Sequence, residues 1–291
     1  MSTTTRSRDE IRTMDALISH MLAVSADSPV YRKIAAFIEK NYMQVIFMTA
    51  EKLASELGVS QGSVSKFCIA LGYHGYADFV RTLQRLVGRE LTAPSRYLYT
   101  ASSTHHTDDV IEKEIENLRL LKEITKSEDY KTLVDDMAGA EHLLLLSARM
   151  SATLLYYLKY VLDKLRGGVE MLTPGSSSYD LAAYHADPKK TLVVAIGLPR
   201  YPKVLVDKMK ELHGAGFRID AITDSRFSPL CEVSDHFVLI PTTSASIFDI
   251  YSTPMMFLNL IASDLSQKMP GVEERLSRIE QYEEDSGVYT K

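Results

Sequence analysis

The chain has 291 residues, of which 45% are hydrophobic and 24% charged, with a net charge of −5. That is enough apolar side chain to core two domains of ordinary size, which excludes a disordered or fibrous chain. The apolar run Thr153–Leu165 is broken by Lys159 and too short for a bilayer, and MSTTTRSRDEIRTM lacks the apolar centre of a secretory signal, so a cytoplasmic protein without a membrane partner is expected.

Residues 1–96 carry 12 Lys and Arg against 9 Asp and Glu, and the remainder carry 21 against 29. Contact with a polyanion therefore belongs to the first part. In that part, Ile11, Met14, Leu17, Ile18 and Met21 recur at helical spacing from Arg8 to Leu22. Ser28-Pro29 supplies a cap and a first-turn proline for a second helix bearing Ile34, Phe37 and Ile38.

The segment TAEKLASELGVSQGSVSKFCIALGYHGYADF, residues 49–79, is the most informative. Thr49 is placed to cap a helix that runs to Leu57, and Gly58 can end it by adopting a positive φ. Ser60 is placed to cap the next helix, which runs to about Ala70. Small Ala54 where the helices cross, Gly58 in the turn and Val64 in the second helix, with Leu53, Leu57, Val59 and Phe67 between them, have helix-turn-helix spacing. The second helix would turn Gln61, Gly62, Ser63, Ser65 and Lys66 outward. Short polar groups with one cation suit the base edges and phosphates of a double-stranded DNA operator. Thr49, Ser60, Gln61, Gly62, Ser63, Ser65 and Lys66 are thus the candidate DNA-binding residues. Arg81, Arg85 and Arg89 form a further stripe that could follow a phosphate backbone.

The stretch 92–107, TAPSRYLYTASSTHHT, has no sustained period and reads as a linker. Its His105-His106 pair has no Cys or acidic partner at ligand spacing, and the two cysteines, Cys68 and Cys231, have neither CxxC nor Cys/His spacing. A helix resumes at Asp108 with Ile111, Ile115, Leu118, Leu121 and Ile124 on one stripe, and a second ends near Gly139. Strands are expected at 142–147, 169–172, 191–197, 217–223 and 237–241. Helices are expected at 152–166, 203–213 and 248–268. Such alternation predicts a three-layer α/β domain with a five-stranded, mainly parallel sheet, whose ligands lie at the carboxyl ends of the strands.

GVSQGSVSKFCIALGYHGYADF, followed by this α/β pattern and by AITDSRFSPLCEVSDHFVLIP at 221–241, resembles the RpiR family of bacterial transcription regulators over about Met14 to Met269. The resemblance implies an all-α helix-turn-helix domain (1–91), a linker (92–107), a SIS-like effector domain with leading helices (108–270) and a carboxyl-terminal tail (271–291). It also implies a homodimer or homotetramer. Two loops depart from what SIS domains usually carry: Ser147-Ala148-Arg149-Met150-Ser151 after the first strand, and Gly197-Leu198-Pro199-Arg200-Tyr201-Pro202 after the third, where a hydroxyl-rich phosphate cradle is usual.

The strand ends offer Ser147, Arg149 and Ser151; Ser176 and Ser177; Arg200 and Tyr201; and Thr223 and Asp224. Hydroxyls and two guanidinium groups fit a small anionic effector such as a sugar phosphate or sugar acid. His185 and His213 have no acid partner placed by sequence, and no Ser/His/Asp order, Walker loop or metal set is present, so no catalytic residue, metal or cofactor is expected. The expected function is an effector-responsive DNA-binding regulator rather than an enzyme. The alternatives are a sugar-phosphate isomerase-like enzyme or an effector-independent DNA-binding scaffold.

Overall fold

The computed structural model describes residues 14–87, 93, 94, 96, 97, 106–226, 228–242 and 246–289, without the side chains of Asp15, Arg85, His106 and Asp109. Most of the 92–107 stretch, Arg89, His105 and the start of the Arg8–Leu22 helix lie outside the described residues. The chain divides into two compact units. Met1–Asn117 with Thr243–Ile250 forms the first, and Leu118–Thr242 with Tyr251–Lys291 the second.

Five helices open the first unit: α1 (Met14–Val24), α2 (Pro29–Val45), α3 (Ala50–Leu57), α4 (Gln61–Ala70) and α5 (Tyr76–Leu86). Ser28 accepts from the Tyr31 amide at 3.3 Å, with Pro29 in the first turn, so α2 starts where its sequence lets it. Leu17, Met21, Ile34, Ile38, Leu53, Val64, Phe67, Phe79 and Leu83 form one core. Three side chains bond to backbone across it: His20 Nε2 to the Leu71 carbonyl (3.2 Å), Tyr76 hydroxyl to that of Val45 (3.2 Å), and Gln84 amide to that of Ile46 (2.9 Å). Each contributes about 1 kcal/mol net and would cost more if its partner were removed. Arg96 and Asp249 form a 2.7 Å ion pair, with side chains only 4% and 9% exposed.

α6 (His106–Ile124) leads from the first unit into the second, where α7 (Glu128–Gly139) follows. The α/β succession is then β1 (His142–Leu146), a 3₁₀ turn (Arg149–Ala152), α8 (Thr153–Leu165), β2 (Val169–Leu172), α9 (Ser177–Asp180), α10 (Ala182–His185) and β3 (Thr191–Gly197). It continues with α11 (Lys203–Gly214), β4 (Arg218–Thr223), β5 (His236–Leu239), α12 (Ser252–Lys268) and α13 (Val272–Asp285). The five strands run in the order β2-β1-β3-β4-β5, every pairing parallel, so the sheet is wholly parallel where the sequence predicted mainly so.

Alternation along the strands builds two cores. Leu143, Leu145, Val194 and Ile196 pack with residues of α7, α8 and α12; Leu144, Leu146, Val193 and Ala195 pack with residues of α9, α10 and α11. The buried Arg166 guanidinium donates to the carbonyls of Met137 (2.6 Å), Ala140 (2.6 Å) and Glu141 (2.7 Å), satisfying the end of α7 and the chain just beyond it.

Two differences from the sequence reading have local causes. The last helix of the sheet starts at Ser252 rather than Phe248, because Pro254 occupies its first turn and residues 246–250 belong to the first unit. The 271–291 stretch, expected as a tail, contains α13, whose Arg275 donates to the Asp163 carbonyl at 2.8 Å and whose Glu283 pairs with Lys164 at 2.8 Å.

Gly197 ends β3 where a Cβ would meet Leu230 Cδ2 at 2.5 Å and Leu205 Cδ2 at 3.0 Å, and both leucines are wholly buried with no room to turn away. Gly197→Ala is therefore expected to destabilise the second unit by about 1–3 kcal/mol. Faster hydrogen exchange of the β3 amides than in the unsubstituted protein would register it; unchanged protection would mean that the leucines yield.

Candidate functional site

In the first unit, α3 and α4 meet across a three-residue turn. Thr49, nearly buried, accepts from the Lys52 amide at 3.1 Å and acts as the cap of α3. Gly58 takes φ 59° and ψ 39°, and the following Val59 amide returns to the Ala54 carbonyl at 2.9 Å, which closes the helix end in the way a glycine permits at little cost. Ser60 then caps α4, accepting from the Ser63 amide at 3.1 Å.

On α4, Val64, Phe67 and Cys68 are fully buried, and burial together with Asp78 pushes the Cys68 thiol up to about 12. Gln61, Gly62 and Lys66 are exposed, while Ser63 and Ser65 are half-buried beside them. Five of the seven expected DNA-binding residues thus line the outward side of α4, and Thr49 and Ser60 hold the two helix starts. Arg81, expected in a basic stripe, is engaged by Asp78 one turn earlier at 3.1 Å.

In the second unit the expected effector residues separate into two groups. Ser147 and Thr223 are wholly buried and donate to carbonyls of β3, Ser147 to Ile196 and Thr223 to Gly197, each at 2.7 Å. Ser176 caps α9, accepting from the Tyr179 amide and donating to the Thr173 carbonyl at 2.8 Å. Ser151 lies nearly buried, 3.0 Å from the Tyr251 hydroxyl. Tyr201 donates to Asp224 at 2.7 Å, and burial, reinforced by that carboxylate, raises the phenol above its ordinary range. These groups shape the rim and are held by one another or by backbone.

Arg149, Ser177 and Arg200 are exposed. The two arginines share a further property: Arg149 has φ 59° and Arg200 φ 68°, and they are the non-glycine residues of positive φ among those described. That conformation costs an L-residue about 1–2 kcal/mol. Arg149 follows β1 and Arg200 follows β3, neighbouring strands from which the crossovers leave in opposite directions. This is the topological switch point, where open parallel sheets place a ligand crevice. Neither guanidinium forms an ion pair with a described residue.

A groove of about 770 Å³ opens elsewhere, bordered by His142, Glu170, Ser177, His185 and Lys190 at the β1–β2 side. It shares only Ser177 with the expected effector residues. The switch point has the stronger chemistry for an anion, because both free guanidinium groups stand there. Sequence reasoning did not single out Tyr251, the partner of Ser151, which lies beyond β5 and acquires its role only through the fold.

Residues 19–87 match the family model of the helix-turn-helix domain, rpiR family. Over 246 residues the chain is 19% identical to an uncharacterized HTH-type transcriptional regulator of Clostridium perfringens (strain 13 / Type A), spanning 82% of this chain and 87% of that one. The sugar isomerase domain of the RpiR transcription factor from Sphaerobacter thermophilus superimposes with a TM-score of 0.56 at 21% identity, over 61% of this chain and 99% of that one. The Vibrio vulnificus NanR protein complexed with ManNAc-6P superimposes with a TM-score of 0.54 at 16% identity, over 94% of this chain and all of the other. Residues 19–87, with the α3–α4 pair turned by Gly58, therefore carry a helix-turn-helix domain of the rpiR family, and the parallel sheet that follows has the fold of a sugar isomerase domain.

Proposed function

We propose that this chain is a transcription regulator of the RpiR family that reads an operator through α4, and that an anionic sugar derivative, of the sugar-phosphate class, sets its DNA affinity by binding outside β1 and β3. The observation that carries the DNA part is the exposed row Gln61, Gly62 and Lys66 on a helix whose opposite side is buried in the core. An amide can address a base edge in two places, and an ammonium beside it neutralises a phosphate.

Support for the effector part is the pair of exposed, positive-φ arginines at the switch point. Guanidinium groups match phosphate or carboxylate oxygens bidentately, and strained backbone is tolerated where function requires it. The fold shared with NanR, which binds ManNAc-6P, is a second support. Tyr201, latched to Asp224, fixes the loop so that Arg200 faces outward. Ser177 adds a hydroxyl on the neighbouring loop. Catalysis is not part of this reading, because the helix-turn-helix domain of residues 19–87 points to regulation.

Two copies would read two half-sites about one helical turn of DNA apart. Exposed Tyr156 and Tyr160, one turn apart on α8, and exposed Met256 on α12, which packs against it, favour pairing through the α/β units. Effector and DNA then alter each other's affinity by the same factor.

Lys66→Ala is expected to weaken operator and random duplex alike and to reduce the slope of log affinity against log salt by about one. Gln61→Ala is expected to cost about 1–3 kcal/mol on the operator alone. Mobility-shift titrations at several salt concentrations measure both, and unchanged affinity in the two variants would remove α4 from the interface.

Arg200→Gly relieves a backbone cost of about 1–2 kcal/mol while returning about 0.5–1 kcal/mol of unfolded-chain freedom. Thermal unfolding without ligand should therefore be unchanged or slightly higher. The stabilisation given by hexosamine 6-phosphates should fall, since a ligand stabilises the fold in proportion to its binding. A variant that keeps the full ligand shift would show that Arg200 only shapes the loop.

A further inference from the structure

At the opposite, amino-terminal end of the sheet, β4 and β5 carry charge inside an apolar layer. Asp220 and His236 are direct partners in the β4–β5 register and so project to the same face. α7 packs on β5 and presents Asp129 and Asp136, two turns apart, to that face.

Asp220 is wholly buried, and neither of its carboxylate oxygens accepts a hydrogen bond. His236 is largely buried, and neither ring nitrogen has a hydrogen-bond partner. Buried polar groups left this way are uncommon and call for a ligand or an ion. Ligand atoms of Asp136, Asp220 and His236 all lie within 4.8 Å of one another.

We propose that Asp136, Asp220 and His236 bind a divalent transition-metal cation of the zinc type, which braces α7 against the β4–β5 edge. Two distances fit this better than a hydrogen-bonded network. His236 Nδ1 stands 3.8 Å from Asp220 Oδ2, too far to share a proton. Two ligands bound tetrahedrally to zinc at about 2.0–2.1 Å lie roughly 3.3 Å apart, so small side-chain rotations complete the set. On the other side of the ring, Nε2 stands 3.8 Å from Asp129 Oδ1, and a metal-bound imidazole donates its second N–H to such a carboxylate.

Charge agrees. Three carboxyl groups, Asp129, Asp136 and Asp220, surround the imidazole and face one guanidinium, Arg218, which contacts Asp136 and lies 3.5 Å from Asp220, so acidic groups outnumber the cation there. Arg218 is half-exposed and can swing into solvent as the cation enters from that rim. One imidazole with two carboxylates selects a first-row transition cation over magnesium.

Full-length protein stripped with EDTA and titrated calorimetrically with ZnCl₂ is expected to bind one equivalent. Asp220→Asn and His236→Gln should each weaken that binding by more than about 100-fold, beyond the loss an outer-shell change causes. MgCl₂ should give no saturable heat. Absence of a one-equivalent zinc site, saturation by magnesium alone, or unchanged affinity in both variants overturns the proposal. If a variant fails to fold, crystals of the unsubstituted protein soaked in ZnCl₂ decide: an anomalous-difference peak among Asp136, Asp220 and His236 supports the site, and peaks only elsewhere overturn it.

Discussion

The carbonyl end of β3 is stitched from both sides. Ser147, just beyond β1, donates to Ile196, and Thr223, at the end of β4, donates to Gly197. Parallel strands bond to each other only through the backbone ladder, which runs out at their ends. Two buried hydroxyls extend that ladder by one rung on each flank of the central strand. The loops after β1 and β3 therefore leave from a fixed base, and the conformation of Arg149 and Arg200 can be enforced rather than merely sampled. A strained residue persists only where its surroundings overdetermine it.

The same arrangement holds the loop GLPRYP. Gly197 is required by the packing of Leu205 and Leu230, not by a ligand. Pro199 and Pro202 limit the backbone on either side of Arg200, and Tyr201 anchors the middle of the loop to Asp224. In the function proposed above, a guanidinium fork would take the place of backbone amides, which favours oxygens spread over one face of an anion.

How much of this the sequence disclosed depends on whether the signal is local. The turn between α3 and α4 was legible because Thr49, Gly58 and Ser60 act on their own neighbours within a few residues. The strands were legible because burial on both faces leaves uninterrupted apolar runs such as LVVAI. What the strand-end hydroxyls do was not legible. Ser147 and Ser177 are the same residue type in comparable loops, yet one is wholly buried against β3 and the other faces water. α13 was missed because no residue of it is buried and its ties to Asp163, Lys164 and Arg166 cross more than a hundred positions. The aspartate in FRIDAIT did carry a signal, a charge at an inward position of a buried strand. Burial and Asp136 raise Asp220 to about 8, against the opposing pull of Arg218.

The pairing of Arg96 with Asp249 has a consequence for how the chain is made. The partners are separated by 153 positions, and residues 246–250 complete the first unit although the whole parallel sheet lies between. During synthesis, helices α1 to α5 emerge early and can collapse on their own core, as amino-terminal domains generally do. The ion pair must wait until β5 has left the ribosome. The unit that begins first is therefore completed only after all five strands have been made, and a nascent chain stalled within the sheet carries a helix-turn-helix half still lacking the Asp249 carboxylate.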